Sequence, residues 1–318
     1  MTAPLLDPDA AAIAAAVADM PSMRERGIHA VRQALEGAPR PPGLPAVDRI
    51  EDRIVTGPHG DIPVRVYRPV PGDGLPAVVY LHGGGMCMGS IDSFEPVARC
   101  LAHDSGAVVV SVGYRLAPEH PPPAQFDDAW AATRWVAEHA IELGADPNRL
   151  AVAGDSAGGT LAAAVALAAR DRGGPAIGCQ VLIYPGLDRD LAAASMTAYA
   201  DAPILSGDDV RYLNELADAG LGHPSSPYRI PAYAADLTGL PPAIVVTAEC
   251  DPIRDWGERY ATRLRDARVQ TTITRCPGVH HGFVLQAGYL ARGRLALAET
   301  GALLRAKFTH PLHLKEDA

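Results

Sequence analysis

The stretch from Leu150 to Val165, Leu-Ala-Val-Ala-Gly-Asp-Ser-Ala-Gly-Gly-Thr-Leu-Ala-Ala-Ala-Val, constrains the fold more than any other. It opens as a short apolar strand, breaks at Gly154 and resumes as an alanine-rich helix predicted to reach about residue 171. Between the two lies Gly-x-Ser-x-Gly, the spacing of a nucleophile elbow. A turn this sharp brings strand and helix together at the flanking positions, where Gly154 and Gly158 carry no Cβ to collide. Ser156 is then held out at the end of the strand, over a helix N-terminus that favours developing negative charge. A glycine-rich turn with an incidental serine, or one that cradles a phosphate, would fit the same five residues. The choice depends on what the rest of the chain brings to Ser156.

Around this stretch, apolar runs alternate with helical patterns. Strands are predicted over residues 49–56, 62–68, 75–81, 107–112, 150–153, 180–184, 243–247 and 271–275. Helices are predicted over 95–103, 126–143, from the elbow to near Gly173, and over 208–219, 256–267 and 290–308. Gly57-Pro-His-Gly-Asp between the first two strands predicts an edge hairpin. The unbroken apolar character of 75–81 and 107–112 is that of strands covered on both faces. The pattern predicts an α/β fold with a mostly parallel eight-stranded sheet flanked by helices.

Two segments stand outside that rhythm. Residues 8–19 and 21–36 predict two leading helices, with Asp7 or Asp9 capping the first and Pro21 in the opening turn of the second. A stiff Gly37-Ala-Pro-Arg-Pro-Pro-Gly-Leu-Pro45 linker follows. Residues 1–44 therefore read either as packing or as a cap over a pocket, ahead of a main domain at 45–318. The long interval around 186–230, with its His223-Pro-Ser-Ser-Pro-Tyr-Arg-Ile-Pro231 section, is either a second cap segment or a longer crossover.

In an open parallel sheet, ligands bind beyond the carboxyl ends of the strands. After residues 75–81 comes His82-Gly83-Gly84-Gly85, whose uncovered N–H groups suit an oxyanion, a flexible loop or a phosphate nest; no Gly-Lys-Ser/Thr follows to make a Walker loop. After 243–247 come Glu249, Asp251 and Asp255, and after 271–275 come His280 and His281. Serine, acid and histidine in that chain order, with a glycine loop at the same sheet end, imply serine-hydrolase chemistry. Gly83, Gly84, Gly85 and Ala157 form the expected oxyanion hole, with Gly84, Gly85 and Ala157 as the foremost donors and Gly83 shaping the loop. Asp155 is expected to support neighbouring loops, and His82 to hold the glycine loop.

Composition excludes several alternatives. A net charge of −9 without a basic run argues against nucleic acid. Five scattered cysteines without Cys-x-x-Cys read as reduced thiols rather than a disulfide framework or a metal site. The N-terminal residues lack a basic signal region, and the apolar run 10–18 is too short to span a bilayer, so the expected address is the cytoplasm, with no membrane anchor. No metal or other cofactor is implied.

Taken together, His82-Gly-Gly-Gly85, Tyr114-Arg-Leu-Ala-Pro-Glu119, Gly154-Asp-Ser-Ala-Gly-Gly159, Asp251-Pro-Ile-Arg-Asp255 and His281-Gly-Phe283 resemble the hormone-sensitive-lipase-like (family IV) bacterial carboxylesterases of the α/β-hydrolase fold, in their Gly-Asp-Ser-Ala-Gly branch. The resemblance runs from about residue 45 to the C-terminus. It implies Ser156 as nucleophile, His281 rather than His280 as base, Asp251 as the acid, short to medium acyl esters as substrates, and ion pairs beneath the site around Arg115, Glu119, Asp127 and Asp128. Met86-Cys87-Met88 departs from the usual aromatic after the glycines, and Trp256 stands where an acidic residue is common. A homodimer through the last strand is carried by analogy alone. Met86, Met88, Tyr184, Leu187, Leu205 and Phe283 are the candidates for an apolar pocket, and core packing would explain most of them equally well. Amide, carbamate or lactone hydrolysis by the same triad, and a non-catalytic receptor on this fold, are the other functions the residues admit.

Overall fold

The computed structural model describes residues 6–219 and 226–311. Eight strands form one sheet: β1 (Arg49–Gly57), β2 (Gly60–Arg68), β3 (Leu75–Leu81), β4 (Val108–Val112), β5 (Ala145–Asp155), β6 (Cys179–Ile183), β7 (Ala243–Cys250) and β8 (Thr271–His280). Their spatial order is β1-β2-β4-β3-β5-β6-β7-β8. Only β2 runs antiparallel to its neighbours, so β3 to β8 all deliver their carboxyl ends to one rim. Val78, Val79, Tyr80 and Leu81 of β3 and Val108 to Val112 of β4 are fully buried, because helices cover both faces.

The helices are α1 (Pro8–Val17), α2 (Met23–Glu36), α3 (Glu95–Ser105), α4 (Ala124–Glu138), α5 (Ala157–Arg172), α6 (Ala194–Ala198), α7 (Gly207–Ala217), α8 (Arg254–Asp266) and α9 (Ala291–Thr309). Every residue of α5 from Ala157 to Ala169 is buried. Its alanines and glycines let it lie close against the sheet and under α4, which is why no amphipathic stripe marks it in sequence.

Several boundaries differ from expectation for identifiable reasons. Pro21 lies outside α2, because Ser22 caps the helix: its hydroxyl accepts the Glu25 N–H, and the Glu25 carboxylate accepts the Ser22 N–H in return. Gly27, at φ 72°, then breaks α2 within its second turn. Strand β8 runs on to His280 because it pairs with β7 beyond an irregularity between Ala248 and Cys250. Helix α4 stops at Glu138, short of the predicted residue 143, and the short α6 was not expected.

The two N-terminal helices do different things. The segment before α1 ties to β8, with the Asp7 N–H donating to Gly278 O at 2.8 Å and Arg292 pairing with Asp7 at 2.6 Å. Helix α2 instead lies against α7, where the Met23 N–H donates to Asp209 Oδ1 at 3.0 Å and Arg24 pairs with Glu215 at 2.8 Å. Further along α2, Arg32 donates to the carbonyls of Cys87 and Ala117 at 2.6 and 2.8 Å and pairs with Glu119 at 2.7 Å. The first residues of the expected N-terminal cap and residues 220–225 of the second lie outside the described residues. Among the described residues no helix is long and apolar enough to cross a membrane, and no cluster of metal-ligating side chains occurs.

Candidate active site

Ser156 follows β5 with φ 53° and ψ −119°, a backbone region that costs a non-glycine residue on the order of 1–3 kcal/mol and persists only where surroundings impose it. The surroundings are specific. Ser156 N–H donates to Ile183 O at 2.8 Å, and Ser156 O accepts from Gly186 N–H at 3.1 Å and Thr160 N–H at 3.2 Å. A Cβ on Gly154 would stand 2.2 Å from the Gly158 backbone, and one on Gly158 would stand 1.9 Å from the Leu81 carbonyl oxygen. The second glycine thus lets the elbow close on β3, the strand that leads into the glycine loop, as well as on its own strand.

His281 follows β8 and is 6% exposed. Its Nε2 lies 2.9 Å from Ser156 Oγ, and its Nδ1 lies 2.7 Å from Asp251 Oδ2. With the ring proton on Nδ1 donated to Asp251, Nε2 is the acceptor facing the serine hydroxyl. Asp251 is fully buried, and its other oxygen accepts the Ile253 N–H at 2.9 Å. The rivals are engaged elsewhere. His280 donates Nδ1–H to the His281 carbonyl at 2.8 Å, and burial lowers its pKa. Glu249 accepts the Gly278 N–H at 2.9 Å. Asp255 accepts the Ser195 N–H at 2.8 Å and pairs with Arg254 at 2.9 Å.

The glycine loop reaches over from β3. Gly84 has φ 108°, and a Cβ there would fall 2.1 Å from the Met88 carbonyl oxygen, so only glycine fits. No partner among the described residues takes the N–H groups of Gly84, Gly85 or Ala157. Gly83 differs from the oxyanion set expected for it, since its N–H already donates to Asp155 Oδ1 at 3.0 Å. It shapes the loop and has no donor left to offer. His82 is buried between the rings of Phe94 and Tyr114, with Nδ1 2.7 Å from Gly83 O, and burial lowers its pKa to about 4, so it stays neutral. Tyr114 donates its hydroxyl to His82 O at 2.7 Å.

Asp155 is the hub of this support. Tyr80 donates to Oδ1 at 2.6 Å and Tyr184 to Oδ2 at 3.3 Å, beside the Gly83 N–H. Burial outweighs these donors and the nearby His281, lifting the carboxyl from the ordinary 3.8 to about 6. A raised folded pKa means the native state holds this proton more tightly than the unfolded chain. The contribution to stability is therefore present below the unfolded value and is lost as pH rises through about 6. From pH 4 to 7.5, urea unfolding should find wild type losing stability relative to Asp155→Asn by about 2 kcal/mol. A difference that stays flat with pH would rule out this role for the carboxyl.

A cavity opens beside Ser156, enclosing about 470 Å³ with the solvent at its mouth included. Of the sequence candidates for an apolar pocket, Met86 and Leu205 line it. Tyr184, Leu187 and Phe283 do not: all three are buried, Tyr184 with its hydroxyl committed to Asp155 and its ring packed on His281 and Phe283. Met88 is turned away in the same manner, packed in the core beneath Gly84. The walls come instead from Val210, Leu213 and Ala217 along one face of α7, and from Ile253 and Trp256 following Asp251. Trp256 is held by donation of Nε1–H to Asp190 O at 3.0 Å. The signal for these two was their place in the acid-bearing motif. For α7 it was the i, i+3, i+7 spacing of Val210, Leu213 and Ala217. None of residues 6–44 reaches this cavity.

Beneath the site, Arg115 grips Asp128 through two nitrogens at 2.9 and 2.7 Å, whereas Glu119 is held by Arg32, which lowers its pKa to about 2. Asp127 faces His59 at 3.6 Å rather than joining that pair. Cys250 and Cys276 are separate buried thiols, each pushed up to about 11 by burial, which leaves little thiolate to oxidise.

A family model described as the alpha/beta hydrolase fold matches residues 78–285 of this chain. The carboxylesterase NlhH of Mycobacterium tuberculosis is 50% identical over 264 residues, covering 81% of this chain and 82% of NlhH. The esterase LipI of the same organism is 46% identical, covering 82% and 83%. Among solved structures, a hyperthermophilic esterase from the archaeon Pyrobaculum calidifontis superposes with a TM-score of 0.88 at 40% identity, covering 96% of this chain and all of that one.

Proposed function

The chain belongs to the hormone-sensitive-lipase-like carboxylesterases of the alpha/beta hydrolase fold, and from that premise we propose that it cleaves small esters through Ser156, His281 and Asp251 by way of an acyl-enzyme. The observation that carries the assignment is the unbroken path Ser156 Oγ to His281 Nε2 at 2.9 Å and His281 Nδ1 to Asp251 Oδ2 at 2.7 Å. His281 takes the Ser156 proton as Oγ attacks the ester carbonyl, then gives it to the departing alkoxide. Water, deprotonated by the same imidazole, releases the acid and restores Ser156. Asp251 fixes the ring and stabilises its cation. The N–H groups of Gly84, Gly85 and Ala157 receive the oxyanion, each donor contributing about 3 kcal/mol of barrier lowering.

The segments around 186–230 and 1–44 act as a cap in this reading. Helix α7 forms the wall of the cavity, and α2 braces α7 from outside through Met23 and Arg24. Because that wall is apolar and the cavity small, short to medium acyl chains are the proposed substrates. Hydrolysis of p-nitrophenyl esters from acetate to palmitate should give kcat/KM values that peak at butanoate or hexanoate and fall steeply by laurate. A profile still rising at laurate would overturn the size assignment. The cytoplasm is the proposed address, supported by five cysteines that all stand as unpaired thiols. The homodimer expected by analogy is assigned to the outer edge of β8.

A further inference from the structure

Five of the side chains facing the cavity carry polar atoms. Ser156 is the proposed nucleophile. Thr160 Oγ1 donates to Gly186 O at 2.7 Å, and Trp256 Nε1 donates to Asp190 O at 3.0 Å, so both are spent. The other two are Asn214 and Arg189. Among the described residues, no partner takes any side-chain atom of Asn214, although only its carboxamide interrupts the apolar face of α7 between Leu213 and Ala217. Arg189 uses Nε toward Asp218 at 3.1 Å and Nη1 toward the Asp188 carbonyl at 3.0 Å, and Nη2 has no partner among the described residues. An apolar pocket with a few convergent unused donors is built to orient a ligand that carries an acceptor.

We infer that this cavity selects esters whose enclosed chain bears a neutral hydrogen-bond acceptor, an ether, ketone or second ester oxygen, received by the Asn214 amide with Arg189 Nη2 beside it. The inference rests on the ester-hydrolase reading above and names its substrate class. A carboxylate is disfavoured by the charges facing Arg189. Its guanidinium is already matched by Asp218, which Arg229 shares, and Asp188 and Asp190 stand close by, paired with Arg259. The acceptor belongs a few bonds from the scissile carbonyl, because Leu213, next to Asn214 on α7, packs directly against the oxyanion-loop residue Gly85.

The test compares isosteric substrates, p-nitrophenyl 3-methoxypropanoate against pentanoate and 4-methoxybutanoate against hexanoate. The ratio of kcat/KM, ether over alkyl, is taken for wild type, Asn214→Leu and Asn214→Asp. Dividing the wild-type ratio by each variant's ratio cancels the intrinsic reactivity of the esters. The alcohol side is read in the same way with 2-methoxyethyl and butyl acetates. Loss of one hydrogen bond predicts a drop in the ether preference of about fivefold to tenfold in both variants, on whichever side of the ester occupies the cavity. Asn214→Asp keeps the side-chain shape, so a folding defect in Asn214→Leu leaves the comparison intact. Equal losses on ether and alkyl esters would mark Asn214 as packing and overturn the inference, as would unchanged ratios. A wild type that cleaves none of these esters would instead defeat the ester-hydrolase reading.

Discussion

Ser156→Ala should lower kcat on p-nitrophenyl butanoate by on the order of 10⁶-fold, leaving only what the oxyanion donors and binding contribute over water. The size of the effect follows from the loss of the Ser156 oxygen that lies 2.9 Å from His281 Nε2. His281→Ala should fall about as far, and the double variant little further, since nucleophile and base act as one unit. His280→Ala should leave kcat within several-fold of wild type, because that ring faces the His281 carbonyl and offers nothing to Ser156. Steady-state kinetics reads all four variants, with active-site titration by a phosphonate for wild type and His280→Ala, which keep both Ser156 and His281. Wild-type turnover by Ser156→Ala, or a collapse confined to His280→Ala, would displace the assignment.

The core of this site was legible because its chemistry sits in contiguous motifs at strand ends. In a parallel sheet a residue just past one strand's end neighbours a residue just past the next, so Ser156, Asp251 and His281 could be juxtaposed without knowing any side-chain contact. The same logic failed where position depends on a side chain's direction. Tyr184 ends β6 on the correct rim, yet its hydroxyl turns to Asp155 and its ring backs His281, so it supports the site without lining it. Gly83 is one residue from two free donors and has its own N–H consumed by the same carboxylate. Nothing local marks either outcome; both follow from Asp155 being buried with an unmet need for donors. The cap was least legible of all. Leu213 and Asn214 line the cavity from a helix that Asp209 and Glu215 tie to Met23 and Arg24, almost two hundred positions earlier in the chain.

The two aspartates after β7 give the sharpest remaining contrast. Asp251→Asn should reduce kcat by on the order of 10⁴-fold with KM little changed, an effect that comes from a single misplaced proton. Asp251 Oδ1 accepts the Ile253 N–H at 2.9 Å while Oδ2 accepts from His281 Nδ1 at 2.7 Å. An asparagine keeps its oxygen on the Ile253 N–H, because the alternative would set an NH₂ against that donor. Its NH₂ then faces Nδ1 and forces the ring proton onto Nε2, where it blocks acceptance of the Ser156 proton. Asp255→Asn weakens different bonds: its amide oxygen still accepts the Ser195 N–H, which joins α8 to α6, but its NH₂ is then set against the Arg254 guanidinium. It should cost about 1–3 kcal/mol of stability in denaturant unfolding and change kcat by less than tenfold. If Asp255→Asn abolished turnover in a folded protein while Asp251→Asn did not, the acid would have to be reassigned. A deficit in Asp251→Asn that shrinks as pH rises would still fit this account, since hydroxide can then take the serine proton in place of the misprotonated imidazole.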